Sequence, residues 1–97
     1  MPKPVRHRLR IPSDVAHLIR EMHPELKRKI RGALEIIIAT PDSAKALKDE
    51  LSGLRSFRVG KFRVVYRVSR RMIEIVAVGP RSKIYQETLR LIRTKSD

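Results

Sequence analysis

The chain has 97 residues, enough for one domain with a modest core, and its formal net charge of +13 is extreme for that length. A charge of this sign and size favours a nucleic acid, an anionic membrane surface or an acidic protein as the partner. The absence of cysteine excludes a disulfide framework and a thiolate zinc site, and the longest apolar run, 36–39, is far shorter than the roughly 20 residues that span a bilayer.

The first half of the chain predicts a strand followed by a helical hairpin. Residues 5–11 alternate three arginines with mostly apolar side chains, which is typical of a half-exposed strand. Ser13 is the expected N-cap of a first helix, and Pro24 is the expected first residue of a second helix. The apolar stripe of the second helix continues to about Ala39. A short helical turn or a packed connector is expected over 44–51.

The second half predicts three antiparallel strands, at about 56–59, 62–68 and 72–79, and a closing helix over 84–92. The tail, 93–97, is expected to fray. This order predicts a single α+β domain over residues 1–97, with the helices packed on one face of the sheet. The first strand should lie beside one of the later three, because two helices are long enough for a parallel crossover. No signal peptide or membrane segment is expected, which favours the cytoplasm.

A two-residue turn at 60–61 predicts the register of the first hairpin and places Arg58 directly opposite Arg63. Like charges directly opposite across two strands are destabilising, so this pair favours a bound polyanion. The register of the second hairpin is open. A three-residue loop at 69–71 would put Arg81 on the same face as the other two arginines, and a two-residue loop would put it on the opposite face. The apolar alternation of the last strand is compatible with the three-residue loop.

The candidate chemistry is cationic. The sequence contains no Gly-rich phosphate loop, no nucleophile elbow and no pair of histidines at metal-ligand spacing, so no metal site or cofactor is expected. Arginine offers phosphate oxygens permanently charged donors in a fixed fork. Arg58, Arg63 and Arg81 around one concavity would therefore suit a scissile phosphate, with an electrostatic role in the transition state. Alternatively, the same residues form a basic groove for backbone phosphates without chemistry.

The four aromatic residues divide into two groups. Side-chain parity along the strands predicts that Phe57, Phe62 and Tyr66 face the core, opposite the arginines. Tyr85 follows Gly-Pro-Arg at a strand-to-helix junction, where its ring would either stack on a base of single-stranded RNA or pack in the core with Leu89.

These segments resemble the RelE/ParE superfamily of small toxins from type II toxin–antitoxin systems, over nearly the whole chain. Residues 58–66 are similar to an Arg-Val-Gly-x-(Phe/Tyr)-Arg-(Val/Leu)-Val-Tyr pattern. Residues 79–85 are similar to Gly-His-Arg-x-x-(Val/Ile)-Tyr, with Pro80 in place of histidine. The resemblance implies the RelE-like microbial RNase fold, with an N-terminal strand, a helical hairpin, a three-stranded antiparallel meander and a C-terminal helix.

The resemblance also implies a function. RelE-like toxins cut mRNA in the ribosomal decoding site without a metal, by making the 2′-hydroxyl of the message attack the adjacent phosphate. By this resemblance Arg63 would hold the scissile phosphate, and Arg81 would stabilise developing charge or protonate the leaving oxygen. Tyr85 would stack on or orient the nucleotide, and Arg58 would be a strand cation of the site. The other cations of the meander are expected to bind RNA, namely Arg55, Lys61, Arg67 and Lys83.

One departure from the RelE pattern bears on the chemistry. RelE-type enzymes carry two basic residues, two positions apart, on the first meander strand, and one of them is a candidate general base. Here the partner position is Ser56, and Arg55 is displaced by one and points the other way. An arginine is a poor general base because its pKa is above about 12. The residues therefore identify no proton acceptor.

Two other functions stay open at this point. A ParE-like toxin would poison DNA gyrase by binding it, without nuclease activity. A general RNA-binding protein would spread its lysines and arginines over the surface instead of clustering them. Either toxin function implies a cognate acidic antitoxin, which typically wraps its toxin with a segment that folds on binding.

Overall fold

The computed structural model describes residues 7–95, with side chains described for residues 7–93, so residues 5 and 6 of the expected first strand lie outside the described residues. In chain order the elements are β1 (Arg8–Arg10), α1 (Ser13–Arg20), α2 (Pro24–Ala39), β2 (Lys45–Ala46), a 3-10 turn (Asp49–Leu51), β3 (Leu54–Val59), β4 (Phe62–Ser69), β5 (Met72–Pro80) and α3 (Ile84–Lys95). The five strands form one sheet in the order β1-β5-β4-β3-β2.

The two helices of the hairpin begin differently. Pro24 is the first residue of α2, as the sequence predicts, and the ring Nδ1 of His23 caps the helix by accepting a hydrogen bond from the backbone N–H of residue 25 at 3.3 Å. Ser13, the expected N-cap of α1, is instead its first helical residue. Pro12 is the N-cap, because its carbonyl already accepts the first helical hydrogen bond, from the N–H of Ala16 at 2.9 Å.

The sheet confirms the parallel crossover and the first hairpin. Strand β1 pairs in parallel with β5, from Arg8 opposite Met72 to Arg10 opposite Glu74. Strands β3 and β4 pair with the predicted register around the turn at Gly60, which has a φ of +60°. The short strand β2, which extends the sheet beyond β3, was not expected from the sequence. The 3-10 turn lies within 44–51, where a helical turn or a packed connector was expected.

The second hairpin adopts the two-residue alternative of the two registers that the sequence leaves open. Its loop is residues 70–71, so Arg67 lies opposite Glu74. A bulge follows at Val76, which has no partner in β4 and shifts the pairing by one position. Arg63 consequently lies opposite Gly79. Because of the bulge, the residues of β5 beyond Val76 face the same side of the sheet that a three-residue loop would have given them.

The sheet carries a core on each face, so the expectation that all helices share one face is wrong. One core lies under α1 and α2 and includes Val15, Ile19, Ile30, Ile37, Val64, Tyr66, Ile73 and Ile75. The other lies under α3 and contains Leu54, Val65, Ala77 and Ile84. The strands place apolar side chains on both faces at their centre, and the amphipathic α3 covers the second set.

The end of α3 also differs from the expected frayed tail. The helix continues to Lys95, and residues 96–97 lie outside the described residues. Near this end, Nη2 of Arg93 donates to Oε2 of Glu50 at 3.0 Å, which ties the helix to the 3-10 turn. Across the described part of the chain, every helix is too short or too polar to cross a membrane.

Candidate functional site

Two arginines face each other across the β3–β4 hairpin. Arg58 and Arg63 are paired at the same level of the ladder, as predicted. Arg58 is exposed, and its Nε donates only to the backbone carbonyl of Gly60, at 3.3 Å. Arg63 is half-buried. Within residues 7–93 neither guanidinium has a carboxylate partner. The fold therefore keeps two adjacent positive charges that it does not neutralise.

A buried serine connects this pair to α3. Nη1 of Arg63 donates to Oγ of Ser56 at 3.2 Å, and the phenolic hydroxyl of Tyr85 donates to the same Oγ at 3.3 Å. Ser56 is only 2% exposed. At position 56 the sequence lacks an expected cation, and the structure shows that the serine hydroxyl accepts two hydrogen bonds there. The available signal was parity, since Ser56 lies on the same face of β3 as Arg58.

One edge of the Arg63 guanidinium has no acceptor. Its Nη1 is engaged by Ser56, whereas its Nε is buried and makes no hydrogen bond within the described part of the chain. Leaving a buried donor unpaired costs about 1–3 kcal/mol. Nε and Nη2 form the side-on fork with which arginine binds two oxygens of a phosphate or carboxylate. In this conformation a bound anion cannot reach the buried Nε, which leaves Nη2 as the Arg63 donor for a ligand.

The backbone brings Arg81 to the same end of the sheet. The N–H of Arg81 donates to the carbonyl of Lys61 at 2.8 Å, which fixes the start of the β5–α3 loop beside the β3–β4 turn. The side chains of both residues are exposed and make no ion pair with any residue whose side chain is described. The turn region therefore presents Arg58 from β3, Lys61 from the β3–β4 turn and Arg81 from the β5–α3 loop.

The other predicted cations lie elsewhere. Arg55 points to the opposite face, as its parity predicts, where Nη1 donates to the carbonyls of Asp42 at 3.1 Å and Ala44 at 2.8 Å. Nη2 of Arg67 donates to Oε1 of Glu74 at 2.6 Å. Lys83 is exposed and lines a separate groove of about 320 Å³ between α1, β5 and α3. The structure thus groups Lys61 with the arginine pair and gives Arg55 and Arg67 protein partners. Their binding to RNA stays a prediction.

The aromatic residues follow the predicted division. Phe57 and Tyr66 belong to the core under α1 and α2, and Phe62 is half-buried. The Tyr66 hydroxyl donates to the carbonyl of Pro41 at 2.6 Å, and burial raises the pKa of Tyr66 while the nearby Arg55 charge opposes the rise.

Tyr85 combines features of both expected roles. It packs against the core under α3 and is only half-buried. It also lines an open groove of about 270 Å³ together with Leu51 and Leu89. Its hydroxyl points into the site through Ser56, so the ring stands between the core and the cationic surface. Among residues 7–93 no three histidine, aspartate or glutamate side chains are grouped so that they could hold a metal ion.

Comparison with known proteins agrees with this architecture. A family model described as the ParE toxin of type II toxin–antitoxin systems, parDE, matches residues 6–85. A sequence search against curated proteins finds no match.

Several solved structures are similar to the fold. The toxin–antitoxin complex RelBE2 from Mycobacterium tuberculosis aligns with a TM-score of 0.70 and 23% identity, covering 79% of this chain and 100% of that chain. The archaeal RelE–RelB complex from Pyrococcus horikoshii aligns with a TM-score of 0.65 and 24% identity, covering 79% and 97%. The isolated E. coli RelE toxin aligns with a TM-score of 0.68 and 18% identity, covering 89% and 98%. The RelE-like fold expected from the sequence is thereby confirmed.

Proposed function

We propose that this chain, which belongs to the ParE toxin family of type II toxin–antitoxin systems, acts by the ribosome-dependent cleavage of mRNA through a metal-independent endoribonuclease mechanism. The observation that carries the proposal is the pair of guanidiniums of Arg58 and Arg63, which lie directly opposite each other without a carboxylate partner among residues 7–93 and are linked through Ser56 to Tyr85. Two like charges at one level of a hairpin favour a polyanionic ligand. The scissile phosphate of an RNA supplies oxygens that can accept from guanidiniums.

The proposed reaction is an in-line transfer within the RNA. The 2′-oxygen attacks the adjacent phosphorus, a new P–O bond forms, and the bond to the 5′-oxygen of the next nucleotide breaks. The 2′-hydroxyl loses its proton and the 5′-oxygen gains one, which leaves a 2′,3′-cyclic phosphate and a 5′-hydroxyl. The pentacoordinate phosphorane carries more negative charge than the bound phosphate, so fixed guanidiniums stabilise it more than the ground state.

The residues take different parts in this scheme. Arg63 holds the phosphate through Nη2, and Arg58 adds charge from the paired strand. Arg81, held beside the turn by its backbone, stabilises the leaving 5′-oxygen. Tyr85 orients the nucleotide with its half-exposed ring. Guanidiniums stay protonated at neutral pH, so none of these arginines removes the 2′-proton, and their roles are electrostatic and positional.

The partners follow from charge and from the similar structures. A net charge of +13 favours a polyanionic target, and a ribosomal target would place the activity in the cytoplasm. Exposed cations such as Lys61 and Lys83 would contribute contacts to RNA phosphates. Two of the similar structures are toxin–antitoxin complexes. We expect a cognate acidic antitoxin to cover the same cationic surface and to neutralise the toxin.

Primer extension on mRNA translated in a purified system tests the proposal. Wild-type protein, Arg81→Ala, Arg28→Ala and a reaction without ribosomes are compared. Arg28→Ala removes the same charge from an exposed position on α2, which packs on the other face of the sheet. We expect ribosome-dependent cuts that Arg81→Ala abolishes and Arg28→Ala retains. Intact mRNA in every lane, with inhibition of DNA supercoiling by gyrase in a parallel assay, would replace this proposal with the gyrase function.

A further inference from the structure

We infer that Ser56 is a positioning residue that couples Arg63 to Tyr85 in the cleavage site. The inference rests on the proposed nuclease function and adds to it a role for this chain's own serine. Its basis is the convergence of two side chains from different elements on one buried oxygen. Arg63 reaches it from β4 at 3.2 Å and Tyr85 from α3 at 3.3 Å.

The serine hydroxyl suits this task because of its two acceptor lone pairs. The Arg63 N–H and the Tyr85 O–H can each use one of them, which leaves the serine proton directed away from both donors. A lysine or arginine at position 56 has no acceptor and could hold neither group. The serine therefore gives position 56 an acceptor for two hydrogen bonds, in addition to removing a positive charge.

The bond to Ser56 determines which edge of Arg63 is presented. By engaging Nη1, the serine fixes the guanidinium with Nε buried and leaves Nη2 as the donor without a protein partner among the described residues. Ser56 is 2% exposed, so water does not compete for its oxygen. Without this acceptor the guanidinium would gain rotamer freedom, and part of the binding energy for the phosphate would go into ordering it.

The second bond acts on the aromatic ring. The neighbours of Tyr85 on α3 anchor the helix, since Ile84 and Thr88 are buried, whereas the Tyr85 ring is only half-buried. Its hydroxyl bond to Ser56 holds the ring at the mouth of the groove that Leu89 lines. Loss of the serine hydroxyl should therefore loosen the phosphate ligand and the nucleotide-orienting ring together.

The test is a double-mutant cycle in ribosome-dependent cleavage, using Ser56→Ala, Tyr85→Phe and the double variant. Single-turnover rate constants and half-saturating ribosome concentrations are measured separately. We expect Ser56→Ala to lower the rate constant about 10- to 100-fold, the range for losing a hydrogen bond to a charged group. The half-saturating concentration should change by less than about threefold. Adding Tyr85→Phe to Ser56→Ala should cause little further loss, because the shared bond is already gone.

Two further variants separate positioning from stability. Ser56→Thr keeps the hydroxyl and should restore most of the rate. Thr88→Val is the matched control, because Thr88 is a fully buried hydroxyl that donates only within α3, to the carbonyl of Ile84 at 2.7 Å. Thr88→Val should lower the melting temperature of the protein and leave the rate constant of mRNA cleavage unchanged. If Ser56→Thr does not fold, the double-mutant cycle by itself tests the coupling between Arg63 and Tyr85.

The outcomes distinguish this inference from the function it rests on. Cleavage by the wild type, with a Ser56→Ala loss no larger than that of Thr88→Val or an additive Tyr85→Phe effect, would overturn the coupling and leave the nuclease function standing. A wild-type protein that cuts no mRNA would overturn the nuclease function and the coupling with it.

Discussion

Replacing Arg63 with alanine should lower the single-turnover rate of mRNA cleavage by about 100- to 1,000-fold, the usual effect of removing one donor that is aimed at developing charge. The same change should alter the free energy of unfolding by less than about 1 kcal/mol. It removes a bond to Ser56 and the packed stem of a half-buried side chain. It also removes an unpartnered buried Nε and the like charge opposite Arg58, and these contributions have opposite signs.

Two companion variants make the test specific. Arg63→Lys keeps the charge and loses the planar guanidinium that can bond Ser56 and a phosphate at once, so it should recover only part of the rate. Arg67→Ala removes a guanidinium from the same face of the same strand, where Glu74 already neutralises it at 2.6 Å. Its loss should stay below about fivefold, the effect of one phosphate contact at most. The assay is cleavage by each variant on programmed ribosomes, with urea denaturation for stability. An Arg63→Ala rate within fivefold of wild type, or an equal loss with Arg67→Ala, would refute the reasoning.

Other predictions concern the scaffold. Tyr66→Phe removes the 2.6 Å bond to Pro41 and should destabilise the protein by about 1 kcal/mol at pH 7 in urea denaturation. Because burial raises the pKa of Tyr66, the tyrosine favours the folded state below the ordinary pKa of about 10 and loses this contribution as the pH rises further. The variant should lose less stability at alkaline pH than wild type, and an identical alkaline slope would contradict this assignment. Gly60→Ala should cost about 1 kcal/mol because φ is +60° there. Gly32→Ala, in the interior of α2 with open space around it, should instead stabilise the protein by about 0.5–1 kcal/mol. If both variants shift the melting temperature in the same direction, the claim that the turn requires glycine at position 60 is contradicted.

Local rules account for the parts of the fold that could be predicted from the sequence. The register around Gly60 follows from a two-residue turn, which leaves one pairing for Arg58 and Arg63. The helical hairpin follows from an apolar stripe and from Pro24 at a helix start. These features depend on residues that are neighbours in the chain, so the sequence pattern is sufficient to predict them.

The features that were missed depend on contacts across the fold. The bulge at Val76 relates β5 to β4, and no signal in either strand alone marks it. The position of α3 on the second face depends on apolar residues such as Val65, whose burial shows only once the sheet is assembled. The sequence shows only the charge that Ser56 lacks, whereas its two hydrogen bonds depend on the positions of Arg63 and Tyr85 in space.

The most direct test of the central claim uses an mRNA with a single 2′-deoxy substitution at the nucleotide 5′ to a mapped cut. Programmed ribosomes carrying the all-ribose message or the substituted message are incubated with wild-type protein, and the products are resolved by length and by end chemistry. The account predicts cleavage of the ribose message to a 2′,3′-cyclic phosphate and no cleavage at the 2′-deoxy position, because the attacking oxygen is absent. Equal cleavage of both messages, or no cleavage of either, would contradict it.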